Sequence, residues 1–265
     1  MPYATSADGS RIYFETHGSG PAIMFVHGSG GHHAAWWQQV PPLAERFTVI
    51  TVDLRGFGRS DSGMDEFDSR AFPDDLLAVV EESGVERVVY IGQSIGAAAG
   101  LKAAVRAPDR AAGVVLAHSL GGIDDPDLAA RVKADRAEAE KLPVLDRLLT
   151  PGFRAADPAK TFLFRQMGTF NTAKMADLRN LNSDGPTVAD VAASGIPVCF
   201  LAGEKDAVLS PATVKAAAAL LPEATLSIVE NAPHSMYWEA PQLFNAALIR
   251  FLDQVYANEL TGASS

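Results

Sequence analysis

Gly92-Gln93-Ser94-Ile95-Gly96 is the stretch of the chain that decides the fold. The apolar, β-branched run 87–91 precedes it and is typical of a buried strand. The alanine-rich run 97–105 follows it and favours a helix. A strand, a sharp turn that carries a serine, and a helix form the context in which Gly-x-Ser-x-Gly marks an enzyme nucleophile. The sequence therefore predicts that Ser94 is a catalytic nucleophile, exposed at the top of a sheet and above a helix N-terminus.

A second serine motif, Ala117-His118-Ser119-Leu120-Gly121-Gly122, lies further along the chain. It lacks the first glycine of the pattern, and Asp124-Asp125-Pro126 follows it where a helix should start. We interpret Ser119 as the end of a strand rather than as a nucleophile.

Strand-like and helix-like runs alternate over most of the chain. Strands are expected near 11–16, 22–27, 47–52, 86–91, 112–118, 196–202 and 225–230. Helices are expected near 34–46, 70–83, 95–106, 211–221 and 240–257. This alternation predicts a mostly parallel, twisted sheet of about eight strands with helices on both faces. We expect the first two strands to form an antiparallel edge, with Asp8-Gly9 at the turn.

One region breaks the alternation. Residues 121–190 show no strand pattern, but they contain helix-like stretches at 126–141 and 158–169, separated by prolines. We interpret this helical insertion as a cap that lies over the top of the sheet. The expected organisation is a first core part at 1–120, the cap at 121–190 and a second core part at 191–265.

Composition limits the partners and the compartment. The 265-residue chain carries a net charge of −10, which argues against nucleic acids and anionic membranes because both need basic patches. The single cysteine, Cys199, lies in a buried-strand pattern, so we expect an inert thiol and a reducing compartment. Residues 1–9 lack the pattern of a signal peptide, and no apolar run approaches the ~20 residues that span a bilayer. The sequence therefore predicts a cytoplasmic protein.

A serine hydroxyl needs a base, and that base needs an acid that orients it. His234 follows the last predicted strand, and Asp206 follows the strand before it. Both therefore lie at the carboxyl edge of the sheet, where Ser94 also emerges. Glu204, Asp124 and Asp125 are alternative acids. Asp206 is favoured because the chain order Ser, Asp, His is the one that this architecture requires.

The loop after the strand at 22–27 reads His27-Gly28-Ser29-Gly30-Gly31. Its glycines allow the backbone to approach a ligand closely, so we assign one oxyanion-hole donor to the N–H of Ser29 and the other to the N–H of Ile95. His27 is expected to fix the loop. The adjacent His32 and His33 lack metal-ligand spacing, so no metal site is expected.

With these features in place, the chain resembles the α/β-hydrolase fold serine hydrolases over nearly its whole length. The segments that carry the resemblance are 27–30, 53–60, 92–96, 203–206 and 234–239. The resemblance implies the α/β-hydrolase fold and a Ser94–His234–Asp206 triad, with the segment 53–60 as a structural turn. Related epoxide hydrolases and haloalkane dehalogenases carry an aspartate nucleophile, and Ser94 excludes them. Perhydrolases keep the serine triad and remain possible.

The insertion also carries apolar side chains, and Leu163, Met167 and Phe170 fall at the i, i+4, i+7 spacing of one helix face. We expect part of this set to pack the cap and the rest to line an apolar pocket. The predicted substrate-binding residues are Gly28, Trp36, Phe162, Phe164, Phe170 and Trp238.

These residues predict hydrolysis of small to medium apolar or aromatic esters through an acyl-enzyme, with a small-molecule substrate and no cofactor or metal. Three alternatives stay open. The enzyme could act as a lactonase, enol-lactonase or perhydrolase, or as a carbon–carbon bond hydrolase of ring-cleavage diketones. It could instead be a ligand-sensing member of the fold with vestigial turnover. A homodimer is also possible.

Overall fold

The computed structural model describes residues 3–61, 67–181 and 183–260. Within them, eight strands form one sheet in the order β1-β2-β4-β3-β5-β6-β7-β8. The strands are β1 (Tyr3–Thr5), β2 (Arg11–His17), β3 (Ala22–Val26), β4 (Thr48–Val52), β5 (Val88–Gln93), β6 (Ala111–Ala117), β7 (Val198–Gly203) and β8 (Thr225–Val229). This is the eight-stranded, mostly parallel sheet of the α/β-hydrolase fold that the sequence predicted.

The antiparallel edge differs from the expected one. The turn at Asp8-Gly9 joins β1 to β2, and β1 was missed because it is only three residues long. Strand β2 pairs antiparallel with β4, while β3 pairs parallel with β4 and β5. The expected pairing of the strands at 11–16 and 22–27 is therefore wrong, since β4 lies between them.

Helices cover both faces of the sheet. They are α1 (Val40–Leu43), α2 (Phe72–Glu82), α3 (Ile95–Arg106), α4 (Pro126–Ala139), α5 (Val144–Leu148), α6 (Pro151–Ala156), α7 (Pro158–Met167), α8 (Val188–Ala193), α9 (Pro211–Leu220), α10 (Met236–Glu239), α11 (Pro241–Val255) and α12 (Ala257–Leu260). The single helix expected at 34–46 is instead a 3₁₀ turn at His33–Trp36 followed by the four-residue α1. Pro41 and Pro42 explain the break, because proline has no N–H to continue a helix and fits only its first turn.

The central strands are buried along their whole length, as their apolar sequences require. Two apolar clusters form the core, and successive residues of β5 alternate between them, with Val88 and Tyr90 in one and Val89 and Ile91 in the other. This alternation follows from the two-residue period of a strand. Among the described residues, no helix combines the length and the apolar character that crossing a bilayer needs.

Between β6 and β7 the described chain forms helices α4 to α8 and two 3₁₀ turns, at Gly168–Phe170 and Met175–Asp177. The helix-like stretches expected at 126–141 and 158–169 correspond to α4 and α7. Each of these helices begins with a proline behind an aspartate cap, because the cap accepts a backbone N–H and proline needs none.

Candidate active site

Five neighbouring strands deliver the candidate residues to one edge of the sheet. In the spatial order β3, β5, β6, β7, β8, their carboxyl ends lead to Ser29, Ser94, His118, Asp206 and His234. Parallel strands end on the same side of a sheet, which is why residues far apart in sequence meet here.

Ser94 lies on a strained turn between β5 and α3. Its backbone angles are φ 53° and ψ −114°, a conformation that non-glycine residues rarely adopt. The turn is tight because Gly92 and Gly96 lack side chains: a Cβ on Gly92 would lie 2.3 Å from Ala97 Cα, and one on Gly96 would lie 2.3 Å from Val26 O. Ser94 is also the one partly exposed residue between Val88 and Ala104. The turn therefore presents the hydroxyl-bearing residue out of a buried layer.

Asp206 and His234 are in direct contact. His234 Nδ1 lies 3.0 Å from Asp206 Oδ1 and 2.9 Å from Oδ2, and both side chains are almost fully buried. Because a carboxylate only accepts hydrogen bonds, Nδ1 carries the proton and leaves Nε2 as the free basic nitrogen. This is the tautomer that a base acting on a serine hydroxyl needs.

The structure keeps the Asp206 carboxylate charged in spite of its burial. Burial by itself would raise the pKa of Asp206, but the nearby His234 and the hydrogen bonds from His118 and His234 outweigh it, so the pKa lies well below its usual range. The N–H groups of Val208 and Leu209 also donate to Oδ1, at 2.8 Å and 3.0 Å. A fixed negative charge therefore faces the His234 imidazole.

The predicted contact between Ser94 and His234 is open in this structure. Among the hydrogen bonds of the described residues, none joins Ser94 Oγ to His234. Such contacts are often long without substrate and shorten when it binds.

The other candidate acids and the second serine have different partners. Asp125 caps α4 by accepting from Leu128 N at 2.9 Å, and Glu204 accepts from Asn231 N at 2.9 Å. Ser119 Oγ accepts from Gly121 N at 3.2 Å, inside a turn that no helix follows directly. None of these groups contacts His234 through a recorded hydrogen bond.

The loop after β3 is braced by His27. Its Nδ1 lies 2.8 Å from Gly28 O, and its Nε2 accepts from Leu54 N at 3.0 Å, so both ring nitrogens bind the backbone. Burial lowers the pKa of His27 to about 4, which keeps the ring neutral. Gly28 packs against Gln93, the residue before Ser94, and a Cβ there would overlap the Gln93 side chain. The loop is thus held beside the serine turn, as its glycines suggested.

Two backbone N–H groups at this point have no recorded protein acceptor. Ser29 is exposed, and no hydrogen bond among the described residues uses its N–H. Ile95 is the first residue of α3, a position whose N–H has no partner inside a helix.

His118 is a site residue that the sequence analysis missed. It was interpreted only as the last residue of a strand, yet its Nδ1 lies 3.0 Å from Asp206 Oδ2 and its side chain is fully buried. Its position in the sequence could have revealed this role, because His118 follows β6 at the same sheet edge where Asp206 follows β7.

Two of the predicted pocket residues belong to the core. Trp36 and Trp238 both have 0% exposure, so no space large enough for water adjoins them. Trp36 packs on Phe25 and Tyr237, with ring centroids 4.6 Å and 4.9 Å apart. Trp238 Nε1 donates to Lys160 O, which ties it to α7. The prediction that these two residues line a pocket is therefore wrong. Their large apolar side chains pack in the core instead.

The predicted apolar stripe on α7 is also wrong. Phe164 and Met167 point inward, and Phe164 packs on Trp238 with ring centroids 5.3 Å apart. Leu163 is 42% exposed and Phe170 is 67% exposed. The helix ends at Met167 and a 3₁₀ turn follows, so helical spacing no longer applies at Phe170. Phe162 is 64% exposed. Phe170 packs edge-on against the ring of His32, with ring centroids 6.0 Å apart.

The helical insertion is attached to both loops of the candidate site. At the histidine loop, Ser235 N donates to Leu148 O at 3.1 Å, and Thr150 donates twice to Glu239, at 2.8 Å and 2.6 Å. At the loop after β3, Asn171 Nδ2 donates to Gly31 O at 3.1 Å. The insertion therefore bridges the two sides of the serine turn.

Two surface clefts of the described residues are lined by neither Ser94 nor Asp206 nor His234. One, of about 330 Å³, lies where the insertion meets Lys205 and Pro233. The other, of about 700 Å³, lies near Ala22 and Ala111, at the opposite end of the sheet.

Two clusters bring potential metal ligands within 4.8 Å of one another: His32, His33 and Asp53, and separately His118, Asp206 and His234. Although His32 and His33 are adjacent in sequence, their ring nitrogens therefore come close to the same carboxylate. In the first cluster Asp53 Oδ1 already accepts from His33 at 2.8 Å. Hydrogen bonds to Asp206 account for the proximity in the second cluster, whereas in the first cluster His33 binds Asp53 and His32 Nε2 is buried with no hydrogen-bond partner among the described residues.

The geometry matches a known family. Residues 21–241 match the family model described as the alpha/beta hydrolase fold. The chain belongs to this family. As the match spans all of the strands from β3 to β8, it covers every element that supports the site.

Three relatives illustrate the range of the family. A thermophilic esterase from Thermogutta terrifontis has a TM-score of 0.81 and 25% identity, and the alignment covers 96% of this chain and 98% of that one. Est816, described as an N-acyl homoserine lactone degrading enzyme, has a TM-score of 0.73 and 25% identity over 94% of this chain and 100% of its own. The 2-(acetamidomethylene)succinate hydrolase of Mesorhizobium japonicum is 27% identical, with 89% of each chain covered. These three relatives are an esterase, a lactone-degrading enzyme and a further hydrolase.

Proposed function

We propose that this protein hydrolyses carboxylic esters through an acyl-enzyme formed on Ser94. The observation that carries the proposal is the combination of a strained, partly exposed serine with a buried Asp206–His234 pair at the same sheet edge. A serine in that position becomes a nucleophile when the free Nε2 of a histidine takes its proton.

In the proposed cycle, His234 Nε2 removes the proton of Ser94 as Oγ attacks the ester carbonyl. The N–H groups of Ser29 and Ile95 donate to the oxyanion. His234 then gives its proton to the leaving alcohol, and a water molecule repeats the sequence on the acyl-enzyme. Asp206 stays ionised throughout and stabilises the imidazolium. No metal or organic cofactor takes part in these steps.

We propose that the helical insertion acts as a cap and sets substrate preference. This proposal is supported by its hydrogen bonds to the histidine loop and to the loop after β3. Phe170 lies edge-on to His32, which follows the loop after β3, with ring centroids 6.0 Å apart. Phe164 supports it indirectly by packing α7 on Trp238. The expected substrate is a small or medium ester with an apolar or aromatic acyl group.

The test is one protein preparation assayed on p-nitrophenyl esters of increasing chain length, a lactone series and a vinylogous diketone. We expect the acetate to butyrate esters to turn over fastest. Faster lactone or diketone cleavage would assign the triad to those substrates instead. A stoichiometric burst followed by near-zero turnover would indicate a ligand sensor.

We also propose a cytoplasmic location, because a chain with a single cysteine forms no internal disulfide and fits a reducing compartment. Cys199 is the chain's single cysteine, it is buried, and burial raises its pKa to about 12, so it is an unreactive thiol. The homodimer stays a prediction, which sedimentation velocity would test.

A further inference from the structure

His118 shares the triad carboxylate with His234. Its Nδ1 lies 3.0 Å from Asp206 Oδ2, while His234 Nδ1 lies 2.9 Å from the same oxygen. Since the carboxylate can only accept, both imidazoles donate through Nδ1. Asp206 thus receives four N–H groups: two from imidazoles and two from the backbone of Val208 and Leu209.

The arrangement of His118 is unfavourable in two respects. Its φ is +55°, in the left-handed region that residues other than glycine rarely occupy. Its Nε2 is buried and has no hydrogen-bond partner among the described residues. A residue that serves stability alone would avoid both costs, and local strain of this kind is concentrated at functional sites.

The protonation state of His118 follows from its surroundings. Burial lowers the pKa of His118, and the opposing attraction of Asp206 is too small to reverse this. His118 is therefore a neutral hydrogen-bond donor to Asp206. Its charged or titratable neighbours are Asp206 and His234.

Three charged side chains on the flanking elements are either bonded to other residues or exposed to solvent. Glu204, after β7, accepts from Asn231 N, and Glu239, on α10, accepts from Thr150. Lys205 is exposed at the surface cleft.

We propose that His118 is a positioning residue of the triad, which fixes the Asp206 carboxylate toward His234 and moderates the negative charge that His234 experiences. The proposal rests on the hydrolase function proposed above. With one more donor on Asp206, the imidazolium of His234 receives less electrostatic support, so His234 stays a free base at lower pH. The acidic limb of the activity profile is therefore displaced downward by His118.

Two substitutions separate the hydrogen bond from the packing. His118→Asn places an amide N–H at the position of Nδ1, and asparagine tolerates a positive φ. His118→Leu fills similar space without a donor. We expect the midpoint of kcat/KM against pH to move up by roughly half to one pH unit in the leucine variant, and kcat/KM on the plateau to fall about tenfold. The asparagine variant should keep the wild-type midpoint.

A fold defect lowers the amount of active enzyme but leaves the normalised pH profile in place, so the midpoint reports on the hydrogen bond. Equal midpoints in the wild type and the leucine variant would overturn the proposal. A shift of the same size in the asparagine variant would also overturn it.

A second measurement uses the wild-type protein and does not depend on the variants folding. Histidine ¹⁵N–¹H spectra, with His118 assigned by difference, should show a neutral ring protonated on Nδ1 at neutral pH. A ring protonated on Nε2, or on both nitrogens, would exclude the proposed donor. If Ser94→Ala kept its activity, the hydrolase proposal itself would fail; an inactive Ser94→Ala with unchanged His118 profiles would refute only the role of His118.

Discussion

The sheet edge and the helical insertion are built in opposite ways. At the sheet edge, Asp206 and His234 are buried and hydrogen-bonded, and the serine turn is held by glycines that admit no side chain. In the insertion, residues 151–181 and 183–190 are mostly exposed or half-buried, and a few hydrogen bonds attach them to the core.

Under the proposed function, this difference assigns the chemistry to the sheet edge and the selection of substrate to the insertion. A catalytic constellation needs fixed geometry, and the ends of adjacent parallel strands provide it. A surface layer with few buried contacts tolerates change and can vary without disturbing that geometry. We therefore expect substitutions at the sheet edge to abolish activity and substitutions in the insertion to redirect it.

The largest expected effect is that of Ser94→Ala. Removal of the nucleophile should lower ester turnover by about 10⁴–10⁶ while circular dichroism stays unchanged. Ser119→Ala is the matched control, because its hydroxyl lies in a turn and accepts only from Gly121. If the control lost activity and Ser94→Ala kept it, the nucleophile would be assigned to the wrong strand end.

Asp206→Asn should come next, with kcat lowered by about 10⁴. An amide can present an N–H to His234 Nδ1, which favours the wrong tautomer and removes the charge that supports the imidazolium. Asp124→Asn changes a carboxylate that follows β6 and should have little effect on steady-state kinetics. Similar losses in both variants would contradict the assignment of Asp206 as the single orienting acid.

Acid should weaken the core through His27. Burial lowers the pKa of His27 to about 4 in the folded protein, whereas its pKa in the unfolded chain is about 6.5. The neutral His27 therefore stabilises the folded protein fully at a pH above the pKa of the unfolded state. This stabilisation is lost as the pH falls toward the pKa of the folded state. We expect this group to remove about 2 kcal/mol from the free energy of unfolding between about pH 7 and pH 5.

Urea titrations at the two pH values measure this loss. His27→Gln should start less stable and show a smaller change with pH, whereas substitution of the exposed His17 should leave the slope as it is. An unchanged slope in His27→Gln would show that other groups cause the acid sensitivity.

The smallest effect is expected in the insertion. Phe170→Ala removes a ring beside His32 and should shift preference toward longer acyl chains by about 1 kcal/mol, which corresponds to several-fold in relative kcat/KM. Phe162→Ala is the control, because Phe162 is exposed to a similar extent and makes no recorded ring contact. If both variants slowed every ester alike, or if the wild type preferred the laurate ester, an open groove would replace the capped pocket.

The same division explains what the sequence could predict. The strand and helix types, the serine turn and the residues after β7 and β8 follow from local patterns whose period and punctuation are strong. The hairpin edge was misassigned because a three-residue strand carries almost no pattern. The roles of Trp36 and Trp238 could not be read from residue type, since large aromatic side chains serve cores and pockets equally well. His118 was missed because it belongs to no known motif, although it follows β6 at the sheet edge where Asp206 follows β7.

The central claim is that Ser94 forms a covalent acyl-enzyme, and mass spectrometry of trapped protein tests it directly. An organophosphorus ester should add one phosphoryl group per chain, and a rapidly quenched p-nitrophenyl ester one acyl group. Both groups should lie on the peptide that contains Ser94. Ser94→Ala should remain unmodified under the same conditions. An adduct on Ser119 would contradict the account. So would a wild-type protein without an adduct at Ser94, combined with a Ser94→Ala variant that still turns over the ester.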